Sequence, residues 1–185
     1  QTCALPICPI RLLGFCALTV SALAVVGCAS MTAHSYLDHR ADLSKYRTYS
    51  WAAVDDLSTG DPRLDHNPFF EHRLKEDVDA ALAARGYELI DARPGDLTLH
   101  YHASVSQKLD VTSENARYLP CDGCRASIYD AGTIMIDLVD SGNEALVWRG
   151  WAEGSIDGVF GDQEWLERRV DDAVTRIMAK LPHRL

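Results

Sequence analysis

Apolar residues along this 185-residue chain fall into three patterns, and each predicts a different kind of element. One is alternation. Leu97, Leu99, Tyr101, Ala103 and Val105 alternate with Thr98, His100, His102, Ser104 and Ser106, which predicts a strand with one buried face. A second is helical spacing. Phe70, Leu74, Val78, Ala81 and Leu82 recur at steps of three and four, and so do Leu166, Val170, Ala173, Val174, Ile177, Met178 and Leu181. The third is an unbroken apolar run from Leu12 to Val26, LLGFCALTVSALAVV, which carries no charge.

Punctuation residues set the ends of these elements. Asn67 is placed to cap the first helix with Pro68 at its first position, and Gly86 to stop it. Asp162 is placed to cap the second helix, and Pro182 follows its end. Further strands are predicted over Ser35 to Arg40, over Arg47 to Ala52, which is rich in β-formers, and over Tyr87 to Ile90. Thr133 to Asp140 and Ala145 to Glu153 flank D-S-G-N-E and predict a hairpin. The segment from Asp55 to Asn67 holds Gly60, Pro62 and four aspartates and reads as a surface loop; a longer loop is expected over about Lys108 to Ile128. The order β-β-α-β-β-β-β-α predicts an α+β fold: a mostly antiparallel sheet of about five to six strands with two amphipathic helices packed on one face.

The apolar run is short of the ~20 residues a membrane span requires. With Arg11 before it and Val25-Val26-Gly27-Cys28 at its end, it resembles a lipoprotein signal peptide, cleaved before a cysteine whose sulfur carries lipid. Ala29, rather than Asp, after the cysteine resembles the signal for the outer membrane. An uncleaved anchor helix, or translation from Met31, are the other readings of this segment. The first ten residues, QTCALPICPI, carry two prolines and two cysteines where a basic region is expected, so the recorded start is doubtful. The expected organisation is a signal peptide over residues 1–27, a lipidated cysteine and short tether over 28–34, and one domain over 35–185. A diacylglycerol and acyl group on Cys28 would hold the chain firmly, since each buried methylene contributes ~0.8 kcal/mol and a single chain holds only marginally.

Charge narrows the partners. The net charge is −9, and loss of Arg11 with the leader leaves 17 basic residues (18 less one) against 27 acidic ones. Such a domain repels nucleic acid and does not lie flat on anionic lipid.

Candidate chemistry centres on Cys121-Asp122-Gly123-Cys124. In an oxidising compartment the pair would close a local disulfide, contributing about 2 kcal/mol through so small a ring. A thiol-redox role, free thiols, or a zinc site completed by His100 and His102 are the alternatives; two histidines two apart on a strand share a face. No hydrolase motif occurs, and Glu76, Asp77 and Asp79 are expected on solvent faces, so no catalytic residue is assigned. Tyr49 and Trp51 share a strand face and are expected in the core. Trp148 and Trp151 should point to opposite faces, one into the core and one free to cap the hairpin or meet a partner. Asp137 and Arg149 are expected as a surface ion pair contributing about 0.2–1 kcal/mol. Gly132 is expected to serve the backbone at a strand start.

The pieces K-Y-R-T-Y-S-W (from Lys45), A-L-A-A-R-G-Y (from Ala81), D-L-T-L-H-Y-H (from Asp96), G-T-I-M-I-D-L-V-D (from Gly132) and L-V-W-R-G-W-A (from Leu146), in this order behind a lipobox, resemble the bacterial lipoprotein family named domain of unknown function 4136. The resemblance runs from about His34 to Pro182. It implies an envelope lipoprotein of α+β fold without an established activity, and it supplies no active site. The expectation is therefore a non-enzymatic module on the periplasmic face of the outer membrane, binding an envelope protein or cell-wall component; a metal-binding or thiol-redox protein is the alternative.

Overall fold

The computed structural model describes residues 31–53, 59–91, 94–112 and 125–183. Among these residues, six strands form one sheet: β1 (Met31–Leu37), β2 (Thr48–Trp51), β3 (Glu88–Leu89), β4 (Leu97–Thr112), β5 (Arg125–Asp140) and β6 (Leu146–Ser155), in the spatial order β1-β6-β5-β4-β2-β3. Two helices, α1 (Pro68–Ala83) and α2 (Gln163–Met178), pack against each other and against one face of the sheet. This is the α+β class expected.

The helices form where sequence periodicity and caps agree. Asn67 Oδ1 accepts from the N–H groups of Phe69 and Phe70, with Pro68 at the first helical position, so orphan donors of the first turn are satisfied. The stripe Phe70, Leu74, Val78, Leu82 is buried. Gly86 then takes φ +80°, a left-handed conformation that ends the helix without a Cβ penalty. In α2, Asp162 Oδ1 accepts from the Trp165 N–H, and Val170, Ala173, Val174, Ile177 and Met178 are buried. No described helix is long and apolar enough to cross a membrane.

The sheet departs from expectation in four places. β1 begins at Met31, so residues expected in the tether are strand, paired antiparallel with β6 from Met31↔Gly154 to Leu37↔Trp148. β2 runs parallel to both β4 and β3, so α1 is a crossover between parallel strands inside an otherwise antiparallel sheet. β4 and β5 continue through residues assigned to a long loop, pairing from Leu97↔Asp140 to Thr112↔Arg125. Gly132 therefore lies inside β5 and not at its start; a Cβ there would come within 2.8 Å of Ile156 Cγ2, so the missing side chain makes room for Ile156.

Core packing lies between helices and sheet. Leu97 and Leu99 of β4, Ile136 and Leu138 of β5 and Trp148 of β6 face α1 and α2, each at most 1 % exposed. Tyr49 is buried as expected, while Trp51 is only half-buried and packs against the core edge. Turns are closed by carboxylates. Asp140 accepts from the Tyr46 hydroxyl at 2.8 Å and from the N–H groups of Gly142 and Asn143 at the hairpin turn. These bonds, the Tyr46 hydroxyl first, hold its carboxyl below the usual range, and burial with the same contact pushes Tyr46 up to about 12. A depressed carboxylate stabilises above its unfolded value of ~3.9, and that stabilisation is lost as the pH falls through the folded value.

Candidate functional site

Strand register places two rows of chemically active side chains on the sheet face opposite the helices. Directly paired residues share a face, so one row reads Tyr36, Arg149, Asp137, His100 across β1, β6, β5 and β4. The next reads His34, Trp151, Met135, His102. Intervening residues such as Trp148, Leu138 and Leu99 point to the core, which fixes these rows on the helix-free side.

The rows are packed, not splayed. The Trp151 ring lies 5.0 Å from that of Tyr36 and 5.5 Å from that of His34, tilted against both. Tyr36 is 68 % exposed, an unusual state for so large an aromatic side chain. The expectation for the two tryptophans is met: Trp148 is core, and Trp151 stands on the open face.

Asp137 corrects an expectation. It pairs with Arg149 as foreseen, through Nε at 2.7 Å and Nη2 at 2.5 Å, but it is only 4 % exposed, so the pair is half-sunk between neighbouring side chains. Hydrogen bonding to Asp137 pushes the Arg149 guanidinium above its ordinary value. The bidentate geometry fixes both side chains and stiffens the platform beneath Tyr36 and Trp151. Arg149→Ala would leave a buried carboxylate without its fork. With the Arg149 side chain 36 % exposed, the cost should fall between that of surface and buried pairs, about 2 kcal/mol. A urea-denaturation double-mutant cycle with Asp137→Ala checks it, and additivity of the two substitutions would refute the coupling.

His100 and His102 do share this face, opposite Asp137 and Met135 respectively. Their proposed co-ligands Cys121 and Cys124 lie outside the described residues, as does Cys28. Among the described residues no group of three or more His, Cys, Asp or Glu converges to hold a metal ion.

A second polar feature was not anticipated. Asp79 was expected on a solvent face of α1; instead Oδ1 accepts from the Tyr49 hydroxyl at 2.8 Å and from Trp51 Nε1 at 3.0 Å. Burial first, and this contact second, raise the Tyr49 phenol well above its ordinary value. The signal was present in the strand: two inward aromatics, each with a donor, require an acceptor on whatever packs over them. Lys75 completes the cluster, 5.6 Å over the Trp51 ring and 2.6 Å from Glu71. All these groups satisfy one another, so the cluster reads as a clasp between α1 and β2. A small cleft, open to solvent, lies at the other end of the core, lined mainly by apolar residues such as Met31, Leu64, Phe70, Ile134 and Phe160. The guanidinium on its wall, Arg169, is engaged with the Ser155 carbonyl at 2.8 Å.

A family model described as "Domain of unknown function (DUF4136)" matches residues 33–183. No curated protein matches the chain. Among solved structures, the chain is similar to a DUF4136 family protein of Bacteroides thetaiotaomicron, with 14 % identity over 81 % of this chain and 95 % of that one and a TM-score of 0.49. It is also similar to a PelC dodecamer of Paraburkholderia phytofirmans, with 15 % identity over 84 % of this chain and 100 % of that one and a TM-score of 0.48. A PDZ domain protein of Parabacteroides distasonis gives 12 % identity over 81 % of this chain and 35 % of that one, with a TM-score of 0.49. Overlaps this shallow identify neither a ligand nor an assembly for this chain.

Proposed function

The chain belongs to the DUF4136 family, and from that premise we propose that it is a non-enzymatic binding module of the bacterial envelope, tethered to the periplasmic face of the outer membrane by lipid on Cys28. The helix-free sheet face is its docking surface, and its partner is an envelope protein. One observation carries this reading: Tyr36, 68 % exposed, and His34 stack on Trp151 beside the Arg149–Asp137 pair. Trp, Tyr and Arg dominate protein interfaces; the aromatics bury much area at small entropic cost, and Arg149 is already held in place by Asp137. A chain of net charge −9 repels anionic wall polymers and lipid headgroups, which favours a protein occupant.

The tether and the surface are tested separately in cells. Cys28→Ala, or globomycin, should block processing and move the chain out of the membrane fraction; unchanged processing and fractionation would refute the tether. A photo-crosslinking residue at position 36 should capture a discrete protein partner, and Trp151→Ala should reduce capture about tenfold, as expected for a contact contributing 1–2 kcal/mol. Capture of wall glycan alone, or capture insensitive to Trp151→Ala, would refute the protein-docking surface. Cys121 and Cys124 are proposed to close a local disulfide; stoichiometric zinc or two titratable thiols in that pair would overturn this.

A further inference from the structure

The sheet has two unlike ends, and register assigns residues to each. Met31 pairs with Gly154, Gly154 with Gly132 and Gly132 with Val105, a row at the end where β1 begins. The opposite end carries Leu37 beside Trp148, Leu146 beside Val139 and Leu89 beside Tyr49. Both helices start over the Met31 end. Phe70, in the first turn of α1, lines the small cleft together with Met31, Gly132 and Gly154. Trp165, in the first turn of α2, lies over Gly158, where a Cβ would come 3.2 Å from its Cζ3.

Exposed apolar side chains gather at this same end. Phe69, next to Phe70, and Trp165 are both exposed. So are Leu109 and Ile128, which face each other on β4 and β5, four pairs beyond the row of Val105 and Gly132. Alternation from Leu99 and Leu138 puts these two on the helix side of the sheet, past the ends of the helices. At the far end Leu89 and Leu146 are exposed singly, and Tyr36 belongs to the helix-free face.

The chain before Met31 selects what this end meets. Cys28 stands three residues earlier, and an extended chain covers at most ~3.6 Å per residue, so lipid on its sulfur enters a bilayer within about 11 Å of Met31. Four pairs at ~3.4 Å carry Leu109 and Ile128 about 14 Å beyond the same row, a similar level. Three basic side chains near this end each lie against a carboxylate, Arg63 on Asp61, Lys108 on Glu153 and Arg168 on Glu164. Contact there rests on apolar burial and not on attraction to anionic headgroups.

We propose that this end of the domain is a membrane-contact surface for zwitterionic phospholipid. With the lipid of Cys28 inserted, Leu109, Ile128, Trp165 and Phe69 enter the interface of the same leaflet, and the domain stands on the end where its helices begin. An indole suits that depth, with its apolar body in lipid and its N–H at the headgroups. One lipidated residue fixes only a point; these side chains fix an orientation, which leaves the Tyr36–Trp151 face clear of lipid. The contact depends on lipid at Cys28, as proposed above, and goes beyond the docking role of that face.

The test uses the full chain, processed in cells and reconstituted from the membrane fraction into phosphatidylcholine vesicles. A diazirine amino acid is placed at position 109, 128 or 165, with positions 89 and 146 as far-end references. Irradiation should give about tenfold more phosphatidylcholine adduct at the first three than at the references, because interfacial side chains sit ~5–10 Å into the headgroup boundary. With the probe at 109, Trp165→Asp should cut the adduct severalfold and leave the circular dichroism spectrum unchanged, since the ring is exposed. Vesicle flotation reads the tether separately. A chain that floats yet labels lipid equally at both ends, or at neither, overturns the contact surface and leaves the tether standing. A chain that does not float overturns both. Capture of a discrete protein in place of lipid from 109 or 165 in intact cells would also overturn the contact surface.

Discussion

Trp148→Ala is expected to lower the unfolding free energy by about 3–5 kcal/mol, the range for emptying a large buried aromatic site. The residue heads the fully buried side chains, at 1 % exposure, and faces the core from β6. Its surroundings cannot collapse into the vacated space, because they are shaped around the indole. A Cβ on Gly150 would lie 2.3 Å from Trp148 Cη2 and 2.7 Å from Ile177 Cγ2, so the ring occupies the place of the Gly150 side chain under α2. Trp148→Phe separates volume from chemistry. Trp148 Nε1 has no hydrogen-bond acceptor among the described residues, so the phenyl ring loses area while removing a buried orphan donor. The Phe variant should therefore cost below about 1.5 kcal/mol, on the scale of a tolerated core swap. Urea midpoints for both variants check this; an Ala variant within 1 kcal/mol of the parent would show that the ring is not the keystone described.

Asp79→Ala is expected to cost about 2–3 kcal/mol. Two donors lose their acceptor, the hydroxyl of Tyr49, at 1 % exposure, and Trp51 Nε1 on a half-buried ring. Orphaning a buried donor costs about 1–3 kcal/mol, with the larger share here at Tyr49, the less hydrated of the two. Asp79→Asn keeps an acceptor oxygen and should lose less than half as much. The diagnostic variant is the double one. If the penalty is an orphaned hydroxyl, adding Tyr49→Phe to Asp79→Ala should restore part of the lost stability, a coupling of opposite sign to simple additivity. Strictly additive losses in thermal melts would mean that the carboxylate acts through α1 alone.

Much of this fold could be read from the chain because local signals and tertiary demands coincide. Asn67-Pro68 and Asp162 cap helices whose apolar stripes are buried, and the strict alternation from Leu97 to Val105 marks the strand on which His100 and His102 share a face. The failures have physical causes. Alternation reports one buried face, and beyond Ser106 that condition ends: Leu109 and Ile128 pair across β4 and β5 yet are 63 % and 69 % exposed. A strand without a covered face loses its period-two signature, so it reads as loop. The parallel pairing of β2 depends on where α1 returns the chain, which no local pattern encodes. The aromatic face was half legible: spacing separated Trp148 from Trp151, but His34 and Tyr36 join Trp151 only through the β1–β6 register, across more than a hundred residues of sequence.

That same register has a consequence for the order of events in time. Met31 lies beside Gly154, and Leu37 beside Trp148. The first described strand is thus completed by one of the last, and closing so long a loop is entropically costly and slow. During synthesis, β1 must wait, extended and uncharged, until β6 has emerged. A brief delay in β6 leaves both edges of β1 open at once, and that interval is when this chain is most exposed to misassociation.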